Sequence, residues 1–335
     1  MYVLVSYKVS VLVPICNMEK YLHQCLESLV NQTLKEIEII CINDGSQDNS
    51  KSIIQEFATK DNRIVMVDKP NSGYGDSMNK GIALAKGEYI GIVESDDFVD
   101  CNMFEKLYNL TQNGTIDIVR SNYYRYWDEK GDAESFYADI QQYGKVLNLS
   151  KVRELLLIPP AIWSAIYRRE FLIKNDIQFL PTPGASYQDT SFFIKTLVMA
   201  EKFLYTDERF LHYRQDNASS SVKQCTLNKA KYVHTEFHEC DRYLNDKLER
   251  NKAIKRFYNT MKLRTFFWNL YRVEDKKGYL ELMREDSLEI LENEECEGQY
   301  FSKAEKIILK NLKTNSLDKA NLLLKIRKVK KMILG

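Results

Sequence analysis

A run of apolar, strand-forming residues, a short polar loop and a segment of helical periodicity recur in that order through the N-terminal third of the chain. The apolar runs cover residues 9–14, 38–42, 63–67 and 88–93, and each is short enough to be a buried strand. The segments between them carry apolar residues three and four positions apart, which is typical of helices that pack on a sheet. This alternation predicts a parallel, doubly wound α/β sheet.

The fourth apolar run ends in Glu94, Ser95, Asp96 and Asp97. In an open α/β sheet, ligands bind at the carboxyl ends of the parallel strands, where these acids would lie. Carboxylate oxygens suit Mg²⁺ or Mn²⁺, which keep several waters and complete their coordination with substrate phosphates. The motif therefore predicts a site for a metal ion and a nucleotide diphosphate. Taken alone it fits a solvated acidic turn better, so the prediction depends on the rest of the chain.

The middle of the chain predicts a less regular series of elements. Helical or strand-like spacing recurs at residues 102–112, 116–119, 161–167, 169–175, 189–201, 203–205 and 209–213. Residues 123–143 are aromatic and charged without a clear period, which predicts an insertion over the site that lies outside the sheet. Pro181 and Pro183 mark a loop.

Beyond about residue 225 the chain is helical in composition, with almost no proline or glycine. We therefore expect an α/β domain at residues 1–222 and a helical domain at residues 223–335. The tail, residues 322–335, mixes apolar residues with lysine and arginine, as a basic amphipathic helix does. Such a helix either makes peripheral contact with an anionic membrane or packs on its own domain with a solvated basic face. The sequence leaves open whether this region forms a homodimer.

Composition narrows the functional classes. The net charge is +1, but acidic residues outnumber basic ones up to Ser220 and basic residues outnumber acidic ones after it, which suggests different partners for the two parts. The 7 cysteines are odd in number and scattered, which indicates buried thiols in a reducing cytoplasm. The sequence has no apolar run of membrane-spanning length and no signal-peptide pattern, so we expect a cytoplasmic protein.

Other motifs are incomplete. Gly73 and Gly75 begin like a dinucleotide-binding fingerprint, but Met78 occupies the position of the third glycine, which argues against a Rossmann oxidoreductase. His234 and His238 lack the glutamate arrangement of a zinc protease. No cysteine pair has zinc-binding spacing. The lysines of the tail lack the aromatic neighbours of an RNA-binding surface, so no nucleic-acid partner is expected.

Four stretches surround the acidic motif in a characteristic order. They read Val-Ser-Val-Leu-Val-Pro-Ile-Cys-Asn from Val9, Tyr-Leu-His-Gln-Cys-Leu-Glu-Ser-Leu-Val-Asn-Gln-Thr from Tyr21, Asn-Asp-Gly-Ser from Asn43, and Lys-Gly from Lys80 leading to Gly-Glu-Tyr from Gly87. Over about residues 9–222 the chain resembles the inverting glycosyltransferases of family 2. The resemblance implies a GT-A fold, a UDP-sugar donor and an Mn²⁺ or Mg²⁺ ion.

The resemblance also implies a donor-binding site. Asp44 would accept the uracil N3–H, and Pro14 with the adjoining loop would line the base and the ribose. Cys16 stands where the family usually has an aromatic residue, and Glu94 stands where it usually has aspartate. The implied donor-binding residues are Pro14, Asn17, Asp44, Asn71, Lys80, Glu94, Ser95, Asp97 and Arg214.

The resemblance assigns the metal to Asp96, with Asp97 as a second ligand or orienting group. His212 would approach the metal or the diphosphate, and Arg214 would pair with phosphate oxygens through its planar guanidinium. Without the resemblance, a strand histidine that only packs is an equal alternative for His212.

Inverting transfer needs a base that takes the proton of the attacking hydroxyl. The family uses the aspartate of a Glu-Asp pair at the start of a helix, and the pair is Gln188-Asp189 here. Asp189 is therefore the implied catalytic base. Without the resemblance, Asp189 is better explained as a helix cap.

These observations predict an inverting, metal-dependent enzyme. It would transfer a hexose or N-acetylhexosamine from a UDP-sugar to a hydroxyl of a glycan acceptor that is lipid-linked or protein-linked. Two alternatives remain at this point. One is a sugar-phosphate nucleotidyltransferase, and the other is a non-catalytic subunit that binds a nucleotide sugar or a partner enzyme.

Overall fold

A computed structural model describes residues 7–136, 142–218 and 225–334. The first part of the chain forms β1 (Val9–Ile15), α1 (Glu19–Val30), β2 (Ile37–Asp44), α2 (Ser50–Lys60), β3 (Ile64–Lys69), α3 (Tyr74–Leu84), β4 (Tyr89–Ile92), β5 (Phe98–Val99) and α4 (Met103–Asn109). The middle forms β6 (Ile118–Trp127), β7 (Gly131–Phe136), β8 (Val146–Leu147), β9 (Ala165–Arg168), α5 (Arg169–Lys174), α6 (Gln188–Met199) and β10 (Phe203–Arg214). The last part forms α7 (Leu227–Arg250), α8 (Lys252–Arg272), α9 (Lys276–Glu292), α10 (Lys303–Lys313) and α11 (Leu317–Leu334).

The strands form one mixed sheet in the order β3-β2-β1-β4-β9-β6-β10-β5, with β7 on β6 and β8 on β10. The β3, β2, β1 and β4 strands are parallel, as predicted. The alternation predicted a wholly parallel sheet. This prediction was wrong at β9, which runs antiparallel to both β4 and β6. β9 follows a short 3₁₀ turn at Ile162–Ser164 rather than a crossover helix.

The sequence prediction that residues 123–143 lie outside the sheet was wrong for residues 123–127 and 131–136, and residues 137–141 lie outside the described part of the chain. β6 continues to Trp127 and pairs with β7 as a hairpin that extends the sheet. The strand has no alternating pattern because its aromatic residues are covered on both faces. Tyr123 packs against Trp163 at 4.6 Å, whereas Tyr124 stacks on His212 at 5.1 Å. The two short strands predicted at residues 203–205 and 209–213 form the single strand β10, whose pairing with β6 is irregular between Tyr205 and Leu211.

The helices α1 and α2 begin side by side at the carboxyl ends of β1 and β2. Asp48 accepts hydrogen bonds from the backbone N–H of Glu19 and of Ser50, both at 2.9 Å. Asn17 has φ 56°, and its side chain accepts from the Gln47 N–H at 2.8 Å. Asp48 therefore joins the two helix starts, which fixes the loops that follow the first two strands.

The chain separates into two compact units, residues 1–152 with 159–220 and residues 153–158 with 221–335. The first unit contains the sheet. In the second unit, the α7, α8 and α9 helices begin at caps formed by Thr226, Asn251 and Asp275. The α10 helix begins with a capping box of Ser302 and Glu305. None of the described helices combines the length and apolarity that crossing a bilayer requires. The domain boundary between residues 222 and 223 stays a prediction.

Close backbone packing joins the start of α3 to the loop before α6. A Cβ atom on Gly75 would overlap the carbonyl oxygen of Leu180. The Tyr74 N–H donates to the carbonyl of Gly184 at 2.9 Å, in the same pair of segments. The sequence places a glycine at this contact because any side chain would separate the two segments.

We expect the Gly75→Ala variant to lower the free energy of unfolding by about 1–3 kcal/mol, since overpacking forces backbone shifts. The measurement is thermal or denaturant unfolding followed by circular dichroism. Gly298→Ala is the control, because a Cβ there would meet nothing within 4 Å. Equal stability of Gly75→Ala and the unchanged protein would contradict this account of the packing.

Candidate active site

The carboxyl ends of β1 and β2 hold the first predicted donor residues. Pro14 is buried in β1, in register with Ile42 of β2. Asp44, the last residue of β2, is only 5% exposed. Its Oδ1 accepts from the Ser72 N–H at 2.8 Å and its Oδ2 from the Gly73 N–H at 3.0 Å. Asp44 thus organises the loop between β3 and α3.

Asp44 also forms an ion pair with Lys69, and both side chains are nearly buried. Asn71 donates to the backbone carbonyl of Asp44 at 2.9 Å and to the Cys16 Sγ at 3.4 Å. Asn71 and Cys16 therefore lie beside Asp44 at the strand ends. Lys80 lies farther along α3, where it is half-exposed and pairs with Asp76 at 2.8 Å.

The acids after β4 lie at the carboxyl end of the central strand. Glu94 accepts a hydrogen bond from the Tyr74 hydroxyl at 2.7 Å. Burial raises the pKa of Glu94 to about 8; the Tyr74 hydrogen bond opposes this rise, and the charges of Asp96 and Asp189 add to it. Ser95 is buried between these acids at 4% exposure.

Asp96 and Asp97 are held in different ways. Asp96 Oδ2 accepts from the Asn217 amide at 2.7 Å. Asp97 is buried, and its Oδ1 accepts from the Arg214 N–H at 2.8 Å. Its Oδ2 is buried without a hydrogen-bond partner in the described part of the chain. Burial, together with the charge of Asp96, raises the pKa of Asp97 well above its usual range.

Arg214 fastens the acidic turn to two other elements. Its Nε donates to the carbonyl of Asp96 at 2.8 Å, and its Nη2 donates to Gln24 of α1 at 2.6 Å. Its Nη1 pairs with Asp128 at the β6–β7 turn. The guanidinium therefore holds the acidic turn, α1 and the hairpin together. The predicted phosphate contact of Arg214 stays a prediction.

His212 lies two residues earlier on β10, between two carboxylates. Its Nδ1 lies 2.7 Å from Asp132 and its Nε2 lies 3.1 Å from Asp100. Its ring stacks on Phe98 at 4.3 Å. Burial lowers the pKa of His212, but the hydrogen bonds to Asp100 and Asp132 outweigh it and raise the pKa above its usual value. In this arrangement both ring nitrogens are engaged, so the metal-ligand role of His212 stays a prediction that requires one carboxylate to withdraw.

Asp189 lies in the first turn of α6, next to Gln188. Burial raises the pKa of Asp189 to about 6, and hydrogen bonds from Thr190 oppose this rise. The Gln188 Nε2 donates to the Thr182 hydroxyl at 2.8 Å, and its Oε1 accepts from the Ser186 N–H. Gln188 therefore shapes the loop before α6, and Asp189 is left with only its local contacts in the described structure.

Electrostatic interactions relate the two groups of acids. The charge of Asp189 raises the pKa values of Glu94 and Tyr74. The charges of Asp96, Asp97 and Asp189 all raise the pKa of Tyr213. Because such effects weaken with distance, the acids after β4 and the acid of α6 face a common region of the first unit.

The residues present fit a divalent cation. Asp96 has one oxygen that accepts no hydrogen bond from the described residues, and Asp97 Oδ2 is a buried oxygen without a partner. These hard oxygen ligands suit Mg²⁺ or Mn²⁺. The described residues contain no group of three or more histidine, cysteine or acidic side chains that could hold a metal. A cation held by Asp96 and Asp97 would complete its coordination with oxygens of water or of a substrate.

Sequence reasoning missed two residues of this site. The sequence pattern pointed to Gly73 and Gly75 but not to Tyr74 between them, although an aromatic residue between two glycines is a visible signal. Asn217, which holds Asp96, follows Arg214 by three residues and has no signal in the sequence. The two contacts join residues that are 20 and 121 positions apart in the chain.

We expect Tyr74→Phe to lower kcat/KM about tenfold, since Glu94 loses the hydrogen bond that fixes its carboxyl group. The measurement is steady-state glycosyl transfer by a variant whose circular dichroism is unchanged. Tyr108→Phe is a matched control, because the Tyr108 hydroxyl makes a similar 2.6 Å bond to Glu88. Similar losses in both variants would contradict a specific role for Tyr74.

Comparisons with known proteins identify the family of the chain. A model of glycosyl transferase family 2 matches residues 10–174. Glycosyltransferase GlyG of Streptococcus pneumoniae is 36% identical over 68% of this chain and 77% of its own length. YibD of Escherichia coli, an uncharacterized glycosyltransferase, is 30% identical over 74% of this chain and 73% of its own length. The match to EpsJ of Bacillus subtilis covers 61% of that protein.

Solved structures share the fold. The crystal structure of S. aureus TarS 1–349 has a TM-score of 0.71 at 17% identity, over 96% of this chain and 91% of that one. A complex of the same TarS fragment with UDP gives the same TM-score of 0.71. The mixed α/β core followed by helices confirms the predicted GT-A fold class. The chain therefore belongs to glycosyl transferase family 2, and it is a glycosyltransferase.

Proposed function

We propose that this glycosyltransferase moves a hexose or N-acetylhexosamine from a UDP-sugar to a hydroxyl of a glycan acceptor, with inversion at the anomeric carbon. The observation that carries the proposal is the relation between Asp96 and Asp189. Both charges raise the pKa of the same residue, Glu94, although Asp96 follows β4 and Asp189 lies in the first turn of α6. The metal-binding carboxylate on the side of the leaving diphosphate and the base on the side of the acceptor then face one reaction centre.

In this proposal the strand ends bind the donor. Asp44 accepts the uracil N3–H, and Pro14, Asn17 and Asn71 line the base and the ribose. Lys80, Glu94 and Ser95 complete the donor site, and Arg214 orients the acidic turn toward the diphosphate. Because the Asp44 oxygens already accept two backbone N–H groups, the loop at residues 71–75 is preorganised for this contact.

Asp96, assisted by Asp97, would hold Mn²⁺ or Mg²⁺, and His212 is the proposed additional ligand once Asp100 or Asp132 has withdrawn from its ring. When bound, such a cation neutralises the charge that develops on the departing diphosphate. Two structures of the same fold contain ligands of the proposed classes, a nucleotide sugar in each and Mn²⁺ in one of them. TarS has been crystallised with UDP-GlcNAc, and the mannosyltransferase PcManGT of Pyrobaculum calidifontis with GDP-Man and Mn²⁺, at TM-scores of 0.59 and 0.52.

Asp189 would act as the base on the acceptor side. As the acceptor oxygen forms its bond to the anomeric carbon, the bond to UDP breaks, and the hydroxyl proton passes to the Asp189 carboxylate. The leaving electron pair stays on the diphosphate. Attack from the face opposite the leaving group gives inversion.

A donor-panel assay tests the proposal. UDP release is measured with Mn²⁺ across UDP-sugars and glycan acceptors, and we expect turnover that depends on the acceptor. Release of pyrophosphate from a sugar phosphate and a nucleoside triphosphate would instead identify a nucleotidyltransferase. Nucleotide-sugar binding without turnover on any acceptor of the panel would favour a non-catalytic subunit.

The raised pKa of Asp189 predicts a pH profile. The base must be ionised, so kcat/KM should reach a plateau above the Asp189 pKa of about 6 and fall as the pH drops below it. At about pH 5 we expect a value roughly tenfold lower than the plateau, since about a tenth of the base remains ionised. UDP binding at the same pH values is the control. A flat profile down to about pH 4 would contradict the role of Asp189.

We also propose a cytoplasmic enzyme whose basic C-terminal tail, residues 322–335, keeps it at the inner face of the membrane. A lipid-linked acceptor would lie at this face, although a protein-linked acceptor is also consistent with the proposed chemistry. The basic residues that predominate after Ser220 support this location, since cytoplasmic leaflets carry anionic lipids.

A further inference from the structure

The last two helices expose apolar side chains. Ile307 on α10 and Leu322 and Ile326 on α11 are 51%, 58% and 46% exposed. Leu322 and Ile326 are four residues apart and therefore lie on one face of α11. The α10 and α11 helices pack on each other and are connected by a short turn, so these side chains belong to one helical hairpin.

Lysines lie beside these apolar residues on both helices. Lys303 and Lys310 share a helical face with Ile307, and Lys319 and Lys325 each lie three positions from Leu322, on its helical face. The exposed lysines of the hairpin that form no ion pair with another described residue are Lys303, Lys306, Lys310, Lys319 and Lys325. The hairpin therefore carries positive charge that its own unit does not neutralise.

The acidic residues of the hairpin are already engaged. Glu305 accepts from the Ser302 N–H at 2.7 Å and from the Tyr271 hydroxyl at 3.0 Å. Asp318 pairs with Lys277 of α9 at 3.1 Å. No other acid occurs between Lys303 and Leu334. The positive charge is thus available to an external partner.

The chemistry of this hairpin distinguishes between partners. The centre of a protein interface is depleted in lysine, whereas aliphatic residues interleaved with lysines suit the boundary between lipid headgroups and acyl chains. We propose that the α10–α11 hairpin is a docking surface for an anionic phospholipid membrane. The three aliphatic side chains enter the acyl boundary, and the lysines pair with the headgroup phosphates. The docking proposal depends on the proposed function in one respect, because a lipid-linked acceptor would place the substrate at the same membrane.

Vesicle flotation of the full-length chain tests the proposal. One vesicle population is phosphatidylcholine alone, and the other contains phosphatidylglycerol as well. We expect the protein to float only with the anionic vesicles and to detach as the salt concentration rises, because salt screens the lysine contacts.

Two variants locate the surface. The triple variant Lys303→Glu, Lys306→Glu, Lys310→Glu should bind anionic vesicles about a hundredfold more weakly or worse, since three basic residues leave the contact. Ile307→Ser with Leu322→Ser should also weaken binding, by removing apolar insertion. The matched control is Leu84→Ser with Lys86→Glu in the first unit, where Leu84 is 47% exposed. This control should bind as tightly as the unchanged protein.

Three results would overturn the proposal: no flotation at low salt, equal flotation with both vesicle types, or an equal loss in the control variant. Concentration-dependent dimers that Leu322→Ser dissociates, without flotation, would assign the surface to a second copy of the chain. UDP release with a water-soluble acceptor is measured on the same variants. Absence of transfer would defeat the proposed function and leave the flotation result standing, so the two failures are distinguishable.

Discussion

Replacing Asp189 with asparagine is expected to lower kcat by roughly 10²–10⁴-fold, which is the contribution of a positioned general base. The amide has nearly the same shape, so α6 and its first turn should remain intact. The variant can no longer accept the acceptor proton as the glycosidic bond forms. Because Asp189 lies on the acceptor side of the proposed reaction, UDP-sugar binding should be unchanged.

The measurements are single-turnover transfer and calorimetric binding of UDP. Asp176→Asn is the control, since Asp176 is an exposed aspartate in the same unit that only accepts from Gln178 at 2.8 Å. Transfer by Asp189→Asn at more than about a tenth of the normal rate would exclude Asp189 as the base, because general-base catalysis contributes more than that.

Replacing Asp96 with asparagine is expected to have a different signature. The cation would lose its charged ligand, and its electrostatic contribution of several kcal/mol corresponds to at least about a hundredfold in kcat/KM. Metal-dependent UDP binding should weaken in parallel. Transfer and donor binding therefore fall together in this variant, whereas they separate in Asp189→Asn.

UDP binding to Asp96→Asn is compared with and without Mn²⁺, and in the presence of a chelator. The unchanged protein should lose affinity when the metal is removed, and the variant should show little further loss. Asp207→Asn, at an exposed position of β10, is the control. Metal-dependent binding of normal strength by Asp96→Asn would remove Asp96 from the metal site.

The parallel half of the sheet was predictable because its signals are local. Each of the first four strands is a short apolar run, and each ends in polar residues that the fold brings to one edge. Asp44 and Asp96 could be found in this way, since a residue that follows a buried strand has only one edge of the sheet to occupy. The proposed role of Asp189 rests only on the resemblance, because an acid at a helix start is usually a cap.

The surroundings of His212 were not predictable for a different reason. Its two carboxylate partners, Asp100 and Asp132, are 112 and 80 positions away in the chain. Asp132 reaches His212 only because β6 and β7 form a hairpin. The β6 strand could not be predicted from periodicity, because it carries aromatic residues on both faces. A pairing of this kind depends on the register of the sheet and not on any local pattern.

The Gln188 side chain has a consequence for substitution in this protein. Its amide group faces the carbonyl oxygens of Thr182 and Gly184, at 3.4 and 3.3 Å, as well as the Thr182 hydroxyl. A glutamate at this position, as in the family's usual pair, would direct negative charge at those carbonyl oxygens. The Gly184 carbonyl also anchors Tyr74, so the exchange would disturb the segment that supports Glu94. The effect of the residue at position 188 therefore depends on the loop it contacts, and Gln188→Glu should be tolerated only when that loop changes with it.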